Sequence, residues 1–156
     1  MKIRKASSKD LAEVHKLVLE MYAEERATLD PHLKEPAQVS KYYLNLVSEK
    51  LSDDDAAAFI AEEAGQPAGF ALAYLTEEEL HTYSRKAYIR NIYVREAYRK
   101  QGVGSHLLSR VLAWAGEKRA EVVEADAYAT NAEGLAFWET AGFKPLFTLI
   151  TKNLIK

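Results

Sequence analysis

Apolar positions near the start of the chain recur at helical spacing. Leu11, Val14, Leu17, Val18, Met21 and Tyr22 share one face, which predicts a first helix running to about Ala27. Ser7 and Asp10 just before it form the S-x-x-D start signal, and Ile3 to Ala6 suits a short strand. Pro31 and Pro36 bracket a loop. Val39, Tyr42, Tyr43, Leu46 and Val47 then mark the apolar side of a second helix from Pro36 to Leu51. After "SDDD" the pattern changes: "AAAFIAEE" and "FALAYL" read as an antiparallel hairpin turning at "GQPAG", where Gly-Gln-Pro supplies the turn chemistry. A polar loop leads to "AYIRNIYV", a strand rich in β-branched and aromatic residues. Gly102 to about Lys118 is the third helix, with Val103, Leu107, Leu108, Val111, Leu112 and Ala115 facing inward. "EVVEADAYAT" reads as the next strand, Asn131 caps a fourth helix ending at a left-handed Gly142, and "LFTLITKNL" closes as a final strand. The order β-α-α-β-β-β-α-β-α-β predicts an α/β fold, a mixed sheet flanked by helices. No repeat or linker divides it, so residues 1–156 read as one domain.

Composition narrows the classes without choosing among them. A chain of 156 residues, 48% hydrophobic and 28% charged, is ordinary for a globular domain. Its longest apolar runs fall well short of the ~18 residues needed to span a bilayer, so no membrane partner is expected. "MKIRKASSKD" lacks an apolar signal core, which points to a cytoplasmic protein. Cysteine is absent and His15, His32, His81 and His106 are scattered, so neither a thiol nucleophile nor a metal site is expected. The net charge of −2 offers no footprint for nucleic acid. Locally the picture differs: Arg85, Lys86, Arg90, Arg95, Arg99 and Lys100 crowd one stretch against a single acid, Glu96. A basic run alone is most simply a solvated face.

The glycines at the end of the run give it a second reading. "RKQGVG", Arg99 to Gly104, opens the third helix, and a helix start exposes unpaired N–H groups at the positive end of the macrodipole. Gly102 and Gly104 remove the β-carbons that would keep a ligand from those amides. Such a start is a seat for an anion, most naturally a phosphate or diphosphate. A Walker loop is ruled out because no Lys-Ser/Thr pair comes after the glycines. A dinucleotide fingerprint fails because its third glycine position is Leu107.

The segment "AYIRNIYVREAYRKQGVGSHLLSRVLAWA" resembles the acetyl-coenzyme-A-binding segment of the GNAT superfamily of N-acetyltransferases. "TNAEGLAFWETAGFKPL" resembles that family's N-x-x-A-x-x-F-Y-x-x-x-G-F segment, and the N-terminal strand, helix and central hairpin fit the same layout. The resemblance implies a GNAT fold and an acetyl-CoA-dependent N-acetyltransferase. The backbone of Ile92, Tyr93 and Val94 would pair with the pantetheine arm, and the amides from Gln101 through Gly102, Val103 and Gly104 to Ser105 would wrap the diphosphate. Arg99 and Lys100 would stand nearby, Asn131 would hydrogen-bond the pantetheine, and Phe137 and Trp138 would line the far side. An ordinary N-cap role for Asn131 and plain core packing for Phe137 compete with those assignments.

The implied reaction is direct transfer of an acetyl group to a primary amine of a small molecule or peptide. The family's tyrosine acid is replaced by Trp138, whose indole N–H is too weak an acid to protonate the leaving sulfur. The strand positions where relatives often carry a base fall on Tyr88 and Arg90, and Arg90 stays protonated. Tyr88, with Asp126 and Tyr128 on alternate positions of the following strand, are the remaining candidates for proton transfer. Val94 N–H is the candidate donor to the developing oxyanion. Acidic stretches (Glu20, Glu24, Glu25, Asp53 to Asp55, Glu77 to Glu79) would draw cationic amines, whereas Arg90 argues for an acceptor carrying a carboxylate. The substituted Trp138 also leaves open a catalytically silent acyl-CoA sensor. A bare anion-binding module would leave "FWETAGF" without a reason. Relatives are often dimers, which leaves a homodimer open.

Overall fold

The computed structural model describes residues 1–155 and divides them into two compact units, 1–126 and 127–155. The first contains β1 (Lys2–Lys5), α1 (Leu11–Thr28), α2 (Pro36–Leu51), β2 (Ala56–Glu63), β3 (Gln66–Glu77), β4 (Arg85–Val94), α3 (Val103–Glu117) and β5 (Val122–Ala125). The second contains α4 (Ala132–Thr140). The sheet runs β1-β2-β3-β4-β5, antiparallel except for the parallel pair β4–β5. A parallel pair needs a crossover, and α3 supplies it. No described helix is long and apolar enough to cross a membrane.

Both faces of the central strands are covered, which explains why β2 and β3 read as near-continuous apolar runs. On one face Ala58, Ile60, Phe70 and Leu72 meet Val14, Leu17, Val18 and Met21 of α1 and Val47 of α2. The alternate residues Ala57, Phe59, Ala61, Ala71 and Ala73 are buried as well and point the other way. There α3 lies across β2, β3 and β4 with Leu107, Leu108, Val111 and Trp114 buried. Alanines dominate this face because a helix is seated closely on it.

Local signals account for most element ends. Asp10 accepts from the Ser7 backbone N–H at 2.8 Å and Ser7 Oγ accepts from Lys9 N–H at 3.3 Å, tying the turn that leads into α1. In the second unit Asn131 Oδ1 accepts from Gly134 N–H at 3.0 Å. Gly142 has φ +89° and ends α4, with Phe143 N–H donating to the Trp138 carbonyl at 2.9 Å.

Five expectations are corrected. The β2–β3 turn is Ala64–Gly65, with φ of 49° and 75°, the two left-handed positions of a tight hairpin; Gln66 and Pro67 already belong to β3. β5 stops at Ala125, so Asp126 and Tyr128 lie beyond it. Leu112 and Tyr42 are exposed, because the neighbours Val111 and Val47 already fill the inward-facing stripes of α3 and α2. Phe137 is half-buried and no residue of α4 is buried, so core packing does not describe it. The final strand is absent: residues 143–155 form no strand, since a strand exists only where a neighbour answers its N–H and C=O groups, and the sheet ends at β5.

Candidate functional site

β4 carries the site and is irregular where it matters. Leu72 pairs with Asn91 and Ala73 with Ile89, so Arg90 is an extra residue, a β-bulge. Beyond it Ile92, Tyr93 and Val94 continue beside Ala71, Phe70 and Gly69. Gly69 is required there by close approach: a β-carbon would overlap the Tyr93 carbonyl oxygen, and that oxygen is backbone and cannot yield. Arg99 Nε donates to the Val94 carbonyl at 2.7 Å, fixing the end of the strand.

The loop into α3 then adopts the shape of an anion nest. Lys100 has φ +60° and Gly102 φ +82°, so left-handed residues alternate with ordinary ones. Gly102 is the N-cap and carries no side-chain cap. The first bond into the helix is His106 N–H to the Gly102 carbonyl at 3.0 Å, which leaves the amides of Val103, Gly104 and Ser105 as the orphan donors of the helix start. The Val103 side chain is buried, so it anchors the loop and offers only its backbone. A diphosphate fits this arrangement on two counts: several N–H groups converge, and Gly102 has no side chain.

The basic run is mostly neutralised. Arg95 reaches Glu20 through two bonds of 2.8 Å, Arg99 reaches Glu24 at 2.7 Å, Arg85 reaches Glu77 at 2.8 Å, and Lys86 bridges Glu78 and Glu124 at 2.7 and 3.0 Å. These carboxylates are counter-ions: Glu20 and Glu24 tie α1 to the residues after β4, Glu77 and Glu78 tie the end of β3 and the loop after it to β4, and Glu124 ties β5 to β4. Glu20, Glu24, Glu77 and Glu78 are thus held by arginine or lysine. The Arg95 bond holds the Glu20 carboxyl below the usual range.

Two catalytic candidates come together. The Tyr88 hydroxyl donates to Asp126 Oδ2 at 2.6 Å, with the Tyr74 ring 5.4 Å away. Burial, reinforced by that hydrogen bond, pushes the Tyr88 hydroxyl far above its ordinary range, so it remains protonated and acts as a donor. Tyr128 and Asn131 lie in the second unit, where Tyr128 offers its carbonyl to Asn131 N–H at 3.0 Å. Trp138 packs edge-on against Phe137 and Phe143, at 5.1 and 4.9 Å.

One residue was named from the sequence only within an acidic stretch, not as a candidate for proton transfer. Glu25 sits three residues after Tyr22 and four after Met21, where the buried stripe of α1 would continue. It is half-buried; burial raises its carboxyl above the usual range, Glu24 adds to this and Arg90 opposes it. The Tyr43 hydroxyl, also raised by burial, feels the same Arg90, and its ring stands 5.5 Å from that of Tyr22. Arg90 Nε and Asn91 Oδ1 are buried without a hydrogen-bond partner. The available signal was an acid on an apolar stripe, which reads as a solvated helix end until the facing strand is known.

Comparison with known proteins bears on the family and the fold. The profile described as "Acetyltransferase (GNAT) family" matches residues 13–143. No curated protein matches the chain. Among solved structures, an aminoglycoside N-acetyltransferase AAC(6')-Iy in complex with CoA is 21% identical, with 97% of this chain and 93% of that one covered and a TM-score of 0.79. A GCN5-related N-acetyltransferase from Ralstonia eutropha is 20% identical over 97% of each chain, with a TM-score of 0.81. A predicted acetyltransferase with acetyl-CoA from Clostridium acetobutylicum is 22% identical, covering 98% of this chain and 96% of that one, with a TM-score of 0.78. A bulged strand ending in a glycine-opened helix start and a family match over most of its length lead to one conclusion: this chain belongs to the GNAT family of acetyltransferases.

Proposed function

We propose that the protein transfers the acetyl group of acetyl-CoA directly to the primary amine of a small molecule that also carries a carboxylate. The observation that carries the donor half is the helix start of α3, with its left-handed Lys100 and Gly102 and its orphan amides. The amides from Gln101 to Ser105, with Lys100 at the rim, hold the diphosphate. The backbone of Ile92, Tyr93 and Val94 aligns the pantetheine, and Val94 N–H serves the oxyanion. Arg99 acts by fixing the Val94 carbonyl. The family match crosses both units, which supports reading them as one N-acetyltransferase domain.

The acceptor half rests on the half-buried Glu25 and on Arg90, whose buried Nε has no hydrogen-bond partner. An alkylammonium, with a pKa of about 10, must lose a proton before it attacks. Glu25 is suited to take that proton, since burial has raised its basicity while it stays ionisable. The Tyr88–Asp126 pair then serves in orientation. Arg90, with its buried Nε unanswered, suits a substrate carboxylate. A thiol pKa of about 8.5 makes thiolate a tolerable leaving group, so Trp138 need not act as an acid.

The test is thiol release from acetyl-CoA over amino acids, polyamines, aminoglycosides and peptides. Amines that bear a carboxylate are expected to turn over, and Arg90→Gln is expected to raise their KM. Turnover confined to amines without a carboxylate would refute the acceptor reading. Tight CoA binding with no turnover on any amine would favour a silent acyl-CoA sensor, the reading that Trp138 keeps alive.

A further inference from the structure

α1 and the chain just after β4 are joined by two ion pairs one helical turn apart. Glu20 bonds Arg95 twice at 2.8 Å, and Glu24 meets the Arg99 guanidinium at 2.7 Å. Residues four apart on a helix stand on one stripe, so the two pairs together fix the rotation and the tilt of α1 against that chain. Their far ends differ. Arg95 goes on to donate to the Pro67 carbonyl at 2.7 Å, near the start of β3. Arg99 goes on to donate to the carbonyl of Val94, the last residue of β4, at 2.7 Å. Its guanidinium also lies over the Tyr93 ring, 5.8 Å from the centroid. One arginine side chain therefore links Glu24 to the strand end assigned to the acyl donor.

The next residue along α1 is Glu25, the proposed base. Successive helical residues are turned by about 100°, so Glu25 leaves the stripe of Glu20 and Glu24. Glu24 beside it and Arg90 of the β4 bulge act on its carboxyl with opposite signs, and Tyr43 is the titratable group that feels it from α2. A base one residue away from an anchor on the donor strand is placed by that anchor relative to the acyl group. We propose that Glu24 is a positioning residue: through Arg99 it sets Glu25 against the end of β4, so that the base and the donor strand keep one spacing. This rests on the reading of Glu25 as the base and adds to it the means by which that base is held.

The test reads Glu25 directly by NMR with carboxyl-labelled glutamate, its signal assigned by Glu25→Gln, and uses CoA as the probe. Glu24→Gln removes a negative charge beside Glu25 and frees the Arg99 cation, so the Glu25 titration should move to lower pH by about 0.5 unit. Arg99→Gln leaves Glu24 uncompensated, so the titration should move up by a similar amount. Glu20→Gln removes an equal charge from the same stripe a turn away and should leave it in place. Saturating CoA should shift the Glu25 signal of the wild type, and that response should be lost in Glu24→Gln. Titrations that move together or not at all in the Glu24 and Arg99 variants would overturn the proposal, as would a CoA response undiminished in Glu24→Gln. Unchanged turnover in Glu25→Gln would instead refute the base, and with it the purpose of the anchor, so the two failures are distinct. Should Arg99→Gln fail to fold by circular dichroism, Arg99→Lys takes its place in the CoA measurement: it keeps the charge but presents its donors from one atom, and it too should lose the response.

Discussion

Replacing Gly102 with valine isolates the backbone shape of the α3 start from its charge. Gly102 holds φ +82° and ψ 4°, a left-handed conformation. An L-residue there costs about 1–2 kcal/mol, and a β-branched one sits at the upper end. Space is not the issue, because an added β-carbon would lie 3.5 Å from the His106 ring, an ordinary contact. The variant can keep the loop and lose that stability, or relax to negative φ and turn the amides of Val103 and Gly104 away from the ligand. For a domain of this size the first outcome lowers the Tm by roughly 2–8 °C. The second removes charge-assisted hydrogen bonds worth about 1.5–3 kcal/mol each, at least a tenfold loss of affinity. Calorimetric titration with CoA and a thermal melt read both. The expected result is a folded variant with at least tenfold weaker binding. Unchanged affinity in a folded protein would refute the assignment of the diphosphate to this loop.

Other expectations concern different parts of the molecule. Gly69→Ala forces its β-carbon onto the Tyr93 carbonyl, so it should destabilise the fold by about 1–3 kcal/mol and weaken CoA binding as the end of β4 shifts; urea unfolding and titration check this. Glu25→Gln should lower kcat by roughly 10²-fold or more with native stability retained, whereas Tyr88→Phe should cost less than about tenfold; steady-state kinetics separate them. Bonds from Arg4 at 2.8 and 3.1 Å hold the Asp10 carboxyl down at about 2. A depressed carboxyl stabilises the fold above its unfolded pKa of about 4 and loses that contribution as pH falls toward 2. With solvent screening, Asp10→Asn should cost about 1 kcal/mol at pH 7 and only a small part of that at pH 2, where about half of the folded carboxyl is protonated, measured by urea unfolding at both values.

Where local chemistry decides the structure, the chain was legible. Pro36 starts α2 and Gly142 ends α4 because φ is restricted at one and left-handed at the other. The hairpin turn was misplaced because Ala64, with φ 49°, gives no compositional sign of a left-handed residue and Pro67 draws attention one step too far. The bulge at Arg90 has no glycine or proline to announce it. Its register belongs to the pairing of β3 with β4. Ion pairs such as Arg95–Glu20 and Arg99–Glu24 join residues 75 positions apart, so a basic run that looked like a ligand's counter-charge proved to be tied to α1. Glu25 was named only as part of an acidic stretch for the same reason. The final strand was expected from an apolar, strand-like composition, but a strand forms only where a neighbour pairs with it, and residues 143–155 form none.

The most direct measurement is a crystal structure of the protein with bound CoA. The diphosphate oxygens are expected within hydrogen-bonding distance of the backbone N–H groups between Gln101 and Ser105, with the pantetheine beside Ile92 to Val94. A diphosphate bound elsewhere on the molecule, with that helix start facing solvent, would contradict the assignment of acetyl-CoA to this site.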